Sequence, residues 1–122
     1  MRILLLDDDD GFRYGVAENL RDDGHEVTEF AGPRDVPPLS ALGRVDVVIT
    51  DYEMSPEDMD GLSFADAVAR EQPGAPVVLV TAFVTPNLEA EVARRPWVHL
   101  CAKPCRYDEL HDLVLQLGRA AA

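Results

Sequence analysis

At 122 residues with 47% apolar side chains, the chain has room for one hydrophobic core and not for two. Its 11 basic and 23 acidic residues leave a formal net charge of -12, which excludes direct binding to nucleic acid or an anionic membrane and suits cations and basic partner surfaces. No apolar stretch reaches the roughly 18 residues of a membrane span, and no basic segment precedes an apolar export signal, so the expected location is the cytoplasm.

In chain order, Arg2 to Leu6 reads as a strand that runs into four aspartates, Asp7 to Asp10. Gly11 to Asp22 reads as a helix with Phe12, Val16 and Leu20 on one stripe and Asp10 as N-cap. Asp23-Gly24 turns the chain into His25 to Phe30, whose polar and apolar alternation suits a strand near a sheet edge. Between Gly32 and Leu42, three prolines permit only a short or distorted helix. Val45 to Thr50 is a buried strand ending at Asp51, followed by an acidic loop to Asp60. Gly61 to Glu71 is a helix, stopped by Pro73-Gly74. Val77 to Val80 is the most apolar strand and ends at Thr81. Thr85 to Arg94 is a helix stopped by Pro96, and Trp97 to Ala102 is the fifth strand. Arg106 to Leu117 is the last helix, with Gly118 as its expected stop. The alanines at 120–122 read as a frayed end or the start of a linker.

Five continuous apolar strands alternating with helices predict an α/β domain over residues 1–122, a parallel sheet covered on both faces. Parallel strands of this kind put function at their carboxyl ends. That rule gathers Asp7 and Asp8 from the first strand, Asp51 from the third, Thr81 from the fourth and Lys103 from the fifth. Adjacent carboxylates repel, and a hard cation such as Mg²⁺ with oxygen ligands offsets the repulsion. One acid of the set can then act as a nucleophile toward phosphorus, and the hydroxyl and the ammonium can bind phosphoryl oxygens. Each residue also has an ordinary use: Asp9 and Asp10 as loop and N-cap, Thr81 as a strand-end hydroxyl, Lys103 as a solvated charge. His25, His99 and His111 are not spaced as a ligand set and read as structural or exposed. Trp97 reads as packing at a strand start. Cys101 and Cys105 form neither a disulfide framework nor a zinc site and read as core or near-surface thiols.

The segments "ILLLDDDD", "VVITDYEM" with "MDG" after it, "VVLVTA" and "CAKP" resemble, in this order and spacing, the receiver domain of two-component response regulators. The resemblance implies a doubly wound five-stranded parallel sheet in the flavodoxin-like order 2-1-3-4-5. It implies Asp51 as phosphoacceptor, with Thr81 and Lys103 as its partners. Mg²⁺ would be held by Asp7, Asp8, Asp51 and the backbone carbonyl of Glu53. It further implies a cis peptide between Lys103 and Pro104, an upstream histidine kinase or phosphotransfer protein, and a downstream effector protein or domain. The product would be a phosphorylation switch rather than a turnover enzyme.

The chain departs from that pattern in four places. The loop after Asp51 is about two residues longer, filled by Ser55, Pro56, Glu57 and Asp58. Glu53 adds a charge at the rim. Leu100 stands where an aromatic switch residue is usual, and Cys105 replaces the usual aromatic after Lys-Pro. Two other readings stand beside the switch. One is a haloacid-dehalogenase-type phosphatase, with Asp8 as nucleophile and Asp10 as acid in "DDDGF". The other is a degenerate receiver that binds partners without being phosphorylated.

Overall fold

The computed structural model describes residues 1–121, with side chains to residue 118. In chain order it contains β1 (Arg2–Leu6), α1 (Asp10–Asp22), β2 (Glu26–Phe30), two 3₁₀ turns (Pro33–Asp35 and Leu39–Leu42), β3 (Val47–Asp51), α2 (Gly61–Glu71), β4 (Val77–Thr81), α3 (Pro86–Ala93), β5 (Val98–Ala102) and α4 (Tyr107–Ala121). The strands form one sheet in the order β2-β1-β3-β4-β5, every pair parallel. The expected architecture is therefore present.

Strand geometry explains the unbroken apolar runs. Successive side chains leave a strand on opposite faces, so a strand covered on both sides needs apolar residues at every position. In β1, Leu4 and Leu6 join one core with Val48, Val77 and Leu79 under Leu62, Phe64, Ala65 and Val68 of α2 and Leu88 of α3. Ile3 and Leu5 join the other with Val47, Ile49, Val78 and Val80 under Val16, Ala17 and Leu20 of α1 and Leu110 and Val114 of α4. Each fully buried leucine contributes about 1.5–3 kcal/mol relative to exposure. β2 is one of the two edge strands, where Glu26 and Thr28 face water and Val27 is buried.

Several boundaries differ from the sequence reading. The α1 N-cap is Asp9, not Asp10: Asp9 is extended and its carboxylate accepts the Phe12 amide at 3.1 Å. Asp10 is then the first helical residue, with Arg13 Nη2 at 2.8 Å from its Oδ1. Gly118 does not stop α4, which continues to Ala121. That glycine is a close approach instead, because a Cβ there would overlap the Met1 sulfur. Residues 45 and 46 precede β3 rather than belonging to it; the Asp46 amide bonds the Arg2 carbonyl at 2.9 Å. The alanine tail ends at residue 122, outside the described residues.

Two of the three histidines, His25 and His111, tie elements together as structural residues. His25 Nε2 and His111 Nε2 are 2.9 Å apart. Tyr107 donates to Asp23 Oδ2 at 2.6 Å and stacks on His111. Burial, aided by the nearby α-amino group and His111, lowers the pKa of His25. This polar seam fixes α4 to the turn after α1. Among the described residues, no helix is long and apolar enough to cross a membrane.

Candidate functional site

Sheet register assembles the rim. Leu6 pairs with Thr50, so the next residues, Asp7 and Asp51, stand side by side. Asp51 pairs with Val80, which puts Thr81 one step beyond, and Thr81 pairs with Ala102, which delivers Lys103. The Lys103 amide donates to the Thr81 carbonyl at 2.8 Å, and the Lys103–Pro104 peptide is cis.

The side chains converge. Lys103 Nζ lies 3.3 Å from Asp7 Oδ2 and 3.5 Å from Asp51 Oδ1. Its ammonium also sits 4.7 Å from the centroid of the Phe12 ring, a contact that helps orient it. One carboxylate oxygen each from Asp7, Asp8 and Asp51 lies within 4.8 Å of the others. Asp7 and Asp51 are buried and Asp8 is exposed.

Burial sets the charge balance. Asp7 is raised by desolvation, against the Asp9 amide at 2.9 Å and the Lys103 ammonium. Asp51 is pushed up to about 6, first by desolvation and then by the charge of Asp7, with Lys103 opposing. Burial pulls Lys103 down, but Asp7 and Asp51 outweigh it and the net shift is upward. One ammonium thus serves two buried carboxylates and leaves the third acid unpaired by it. A donor set made only of carboxylate oxygens with surplus negative charge suits a hard divalent cation such as Mg²⁺.

Thr81 is fully buried, and its hydroxyl donates to Glu53 Oε1 at 3.0 Å while accepting the Phe83 amide at 3.2 Å. The Glu53 side chain is thus part of the rim through Thr81, a contact the sequence reading did not foresee. It reaches Thr81 across the mouth of the strand that carries Asp51. Gly61 is held by a close approach: a Cβ there would collide with the Asp51 carbonyl and lie 2.6 Å from Leu79 Cδ1. That contact accounts for the glycine that ends the "MDG" segment.

Arg13 was missed entirely. It lies on the buried side of α1, only 6% exposed. Its Nη1 donates to the Asp7 carbonyl at 2.6 Å and its Nε to Glu29 at 3.2 Å. Buried arginine is rare unless paired, and the available signal was Asp10 three residues earlier on the same helix.

The longer loop is pinned rather than free. Asp58 accepts the Arg34 amide at 3.0 Å, and its own amide bonds the Ser55 carbonyl at 2.9 Å. A cavity of about 300 Å³ lined by Asp8, Gly32, Arg34, Ser55 and Asp58 opens beside the acids. Leu100 is half-buried against the α2–α3 core. Trp97 packs there too, its indole donating to the Ala65 carbonyl at 3.0 Å. The phosphatase pairing is not assembled: Asp10 is engaged by Arg13 and stands outside the acid cluster, which contains Asp51 instead.

Comparison with known proteins agrees with this geometry. The response regulator receiver domain family matches residues 3–115. A response regulator receiver protein of Anaeromyxobacter sp. is 30% identical over 112 residues, 92% of this chain and 46% of that protein. The transcriptional regulatory protein GlrR of Escherichia coli is 35% identical over 113 residues, 92% of this chain and 25% of that protein. The chain therefore spans less than half the length of either relative. The chemotaxis response regulator CheY4 of Vibrio cholerae superposes with a TM-score of 0.80 at 26% identity, covering 95% of this chain and 97% of that one.

Proposed function

We propose that this chain, which belongs to the family of response regulator receiver domains, is a phosphoacceptor switch in which Asp51 is the nucleophile. The observation that carries the reading is Lys103 bridging Asp7 and Asp51 at 3.3 and 3.5 Å, with the acid cluster beside it. An Asp51 oxygen attacks phosphorus of a phosphohistidine on a histidine kinase or phosphotransfer protein. The phosphorus–nitrogen bond breaks and the histidine leaves with the electron pair.

Lys103 moves its ammonium from the two carboxylates to a phosphoryl oxygen. Thr81 turns its hydroxyl from Glu53 to another oxygen. Asp7, Asp8, Asp51 and the Glu53 carbonyl are the residues to hold Mg²⁺, which when bound neutralises charge on the transferred group. Phosphorylation thus changes what Thr81 and the loop at Phe83 contact, and this is the signal to a downstream effector protein or domain. The domain works in the cytoplasm as a switch that is set and reset, not as a turnover enzyme.

The test is incubation with Mg²⁺ and acetyl phosphate, read by intact mass with Asp51→Asn as control. A single phosphoryl adduct that is acid-stable, base-labile and missing from Asp51→Asn is expected. No adduct on the wild-type protein would leave only a partner-binding receiver. An adduct kept by Asp51→Asn and lost by Asp8→Asn would move the chemistry to the phosphatase reading.

A further inference from the structure

The chain has two cysteines, and they bracket the lysine of the site in the segment Cys101-Ala102-Lys103-Pro104-Cys105. Cys101 lies on β5, opposite Val80 of β4. Cys105 lies beyond the turn that carries Lys103, and both thiols are free and half-buried at the edge of the α1–α4 core. The chain folds back so that the two sulfurs are 2.7 Å apart, inside ordinary packing contact. Core packing accounts for one small thiol on a strand. It does not account for a second sulfur brought onto the first from the far side of the lysine.

We propose that Cys101 and Cys105 form a reversible disulfide, made by hydrogen peroxide or an organic hydroperoxide, that acts on the phosphoacceptor site through Lys103. The second half of this proposal rests on Asp51 being the phosphoacceptor; the disulfide itself does not.

The chemistry balances as follows. The Cys101 thiolate attacks one peroxide oxygen, the oxygen–oxygen bond breaks, and the hydroxide or alkoxide that leaves with the electron pair takes up the proton Cys101 gave off. The Cys105 sulfur then attacks the sulfenic sulfur, the sulfur–oxygen bond breaks, and the departing hydroxide takes the Cys105 proton as water. Two thiols lose two protons and two electrons, and one peroxide is reduced. Burial, and then the neighbouring Cys101, push the Cys105 thiol up to about 12, so Cys105 is not the thiol that meets peroxide first. A thiol already against the sulfenic sulfur reacts as an intramolecular partner. In a reducing compartment such a bridge is transient and regulatory rather than structural.

The bridge closes a ring of five residues around Lys103. The Lys103 amide is already tied to the Thr81 carbonyl at 2.8 Å, and its ammonium to Asp7 and Asp51. Closing the ring holds the Lys103 backbone in place beside Asp7 and Asp51 and so opposes any shift of the segment that would carry the ammonium to a phosphoryl oxygen. Oxidation is therefore expected to oppose phosphoryl binding.

The experiment oxidises the whole chain with hydrogen peroxide, blocks remaining thiols with N-ethylmaleimide, and maps peptides without reductant. The expected product is monomeric, has lost two hydrogens, takes no maleimide, joins Cys101 to Cys105, and reverts with dithiothreitol. Thiols that both stay alkylatable, that each gain oxygen independently, or that link two chains would overturn the proposal. Affinity for beryllofluoride with Mg²⁺ is then compared between the two forms. It should be about fivefold or more weaker in the disulfide form, with no peroxide effect in a Cys101→Ser/Cys105→Ser variant. Equal affinity in both forms would overturn the action through Lys103. No binding by the reduced protein would instead sink the phosphoacceptor reading.

Discussion

Thr81 shows how a residue's environment can oppose its task. Its hydroxyl is the group proposed to bind a phosphoryl oxygen, yet it donates to Glu53 at 3.0 Å. The same carboxylate stands where the negative phosphoryl group would arrive, so Glu53 both occupies the hydroxyl and repels the ligand. Replacing Glu53 with Gln keeps size and an acceptor while removing the charge. Beryllofluoride titration of Glu53→Gln with Mg²⁺ should show affinity raised by roughly three- to tenfold, the equivalent of about 1 kcal/mol for one exposed charge. Unchanged or weaker binding would mean that Glu53 helps the site. Asp51, Asp8 and Lys103 were legible because each follows an apolar strand whose end is obvious in the sequence. The Glu53–Thr81 contact was not, since it joins side chains 28 positions apart whose reach depends on loop conformation. Arg13 was hidden because a cation on an apolar helix face reads as solvated until its partners, the Asp7 carbonyl and Glu29, are in place.

At the scale of elements, the helices were legible from their periodicity and the strands from their runs, with most ends shifting by a residue or two and the end of α4 by four. Asp9 and Asp10 illustrate the shift: both are N-cap residue types, and only the backbone decides which carboxylate accepts the Phe12 amide. Gly118 illustrates the opposite error. A glycine after an amphipathic stretch usually stops a helix, but here Met1 packs where a side chain would be. Gly61 couples α2 to the end of β3 in the same way, since a Cβ would meet the Asp51 carbonyl. Gly61→Ala is therefore expected to destabilise the fold by about 1–3 kcal/mol despite alanine's better helix propensity. Urea denaturation should show a lower midpoint with the slope unchanged. A neutral or stabilising result would mean that α2 moves away at little cost.

For the whole molecule, three of the 23 acids, Asp7, Asp8 and Asp51, converge at one rim. With a net charge of -12 and two buried carboxylates sharing one lysine, the metal-free fold carries unrelieved repulsion at its rim. Mg²⁺ binding to the native state should raise the melting temperature by linkage. At a free concentration tenfold above Kd, the gain is about 1.4 kcal/mol, or roughly 4–6 °C for a chain of this size. Differential scanning calorimetry with Ca²⁺-free Mg²⁺ checks this. Asp51→Asn should melt higher than the wild type without metal, because a neutral side chain replaces one of two adjacent carboxylates, and should gain less from Mg²⁺. A wild-type melting point indifferent to millimolar Mg²⁺ would count against a working acid pocket.

The sequence by itself determined the layers, the strand order implied by the family resemblance, and the residues at the strand ends. Hydrophobic period and strand length are local properties, and in a parallel sheet the carboxyl ends share one rim whatever the loops do. Only the tertiary structure decided which side chains meet across that rim and which pair elsewhere. It turned Asp10 to Arg13, gave Thr81 to Glu53, buried Arg13 under the Asp7 carbonyl, and brought Cys105 onto Cys101. Those pairings depend on register and on the way each loop returns to the sheet, and neither is written in the spacing of residues along the chain.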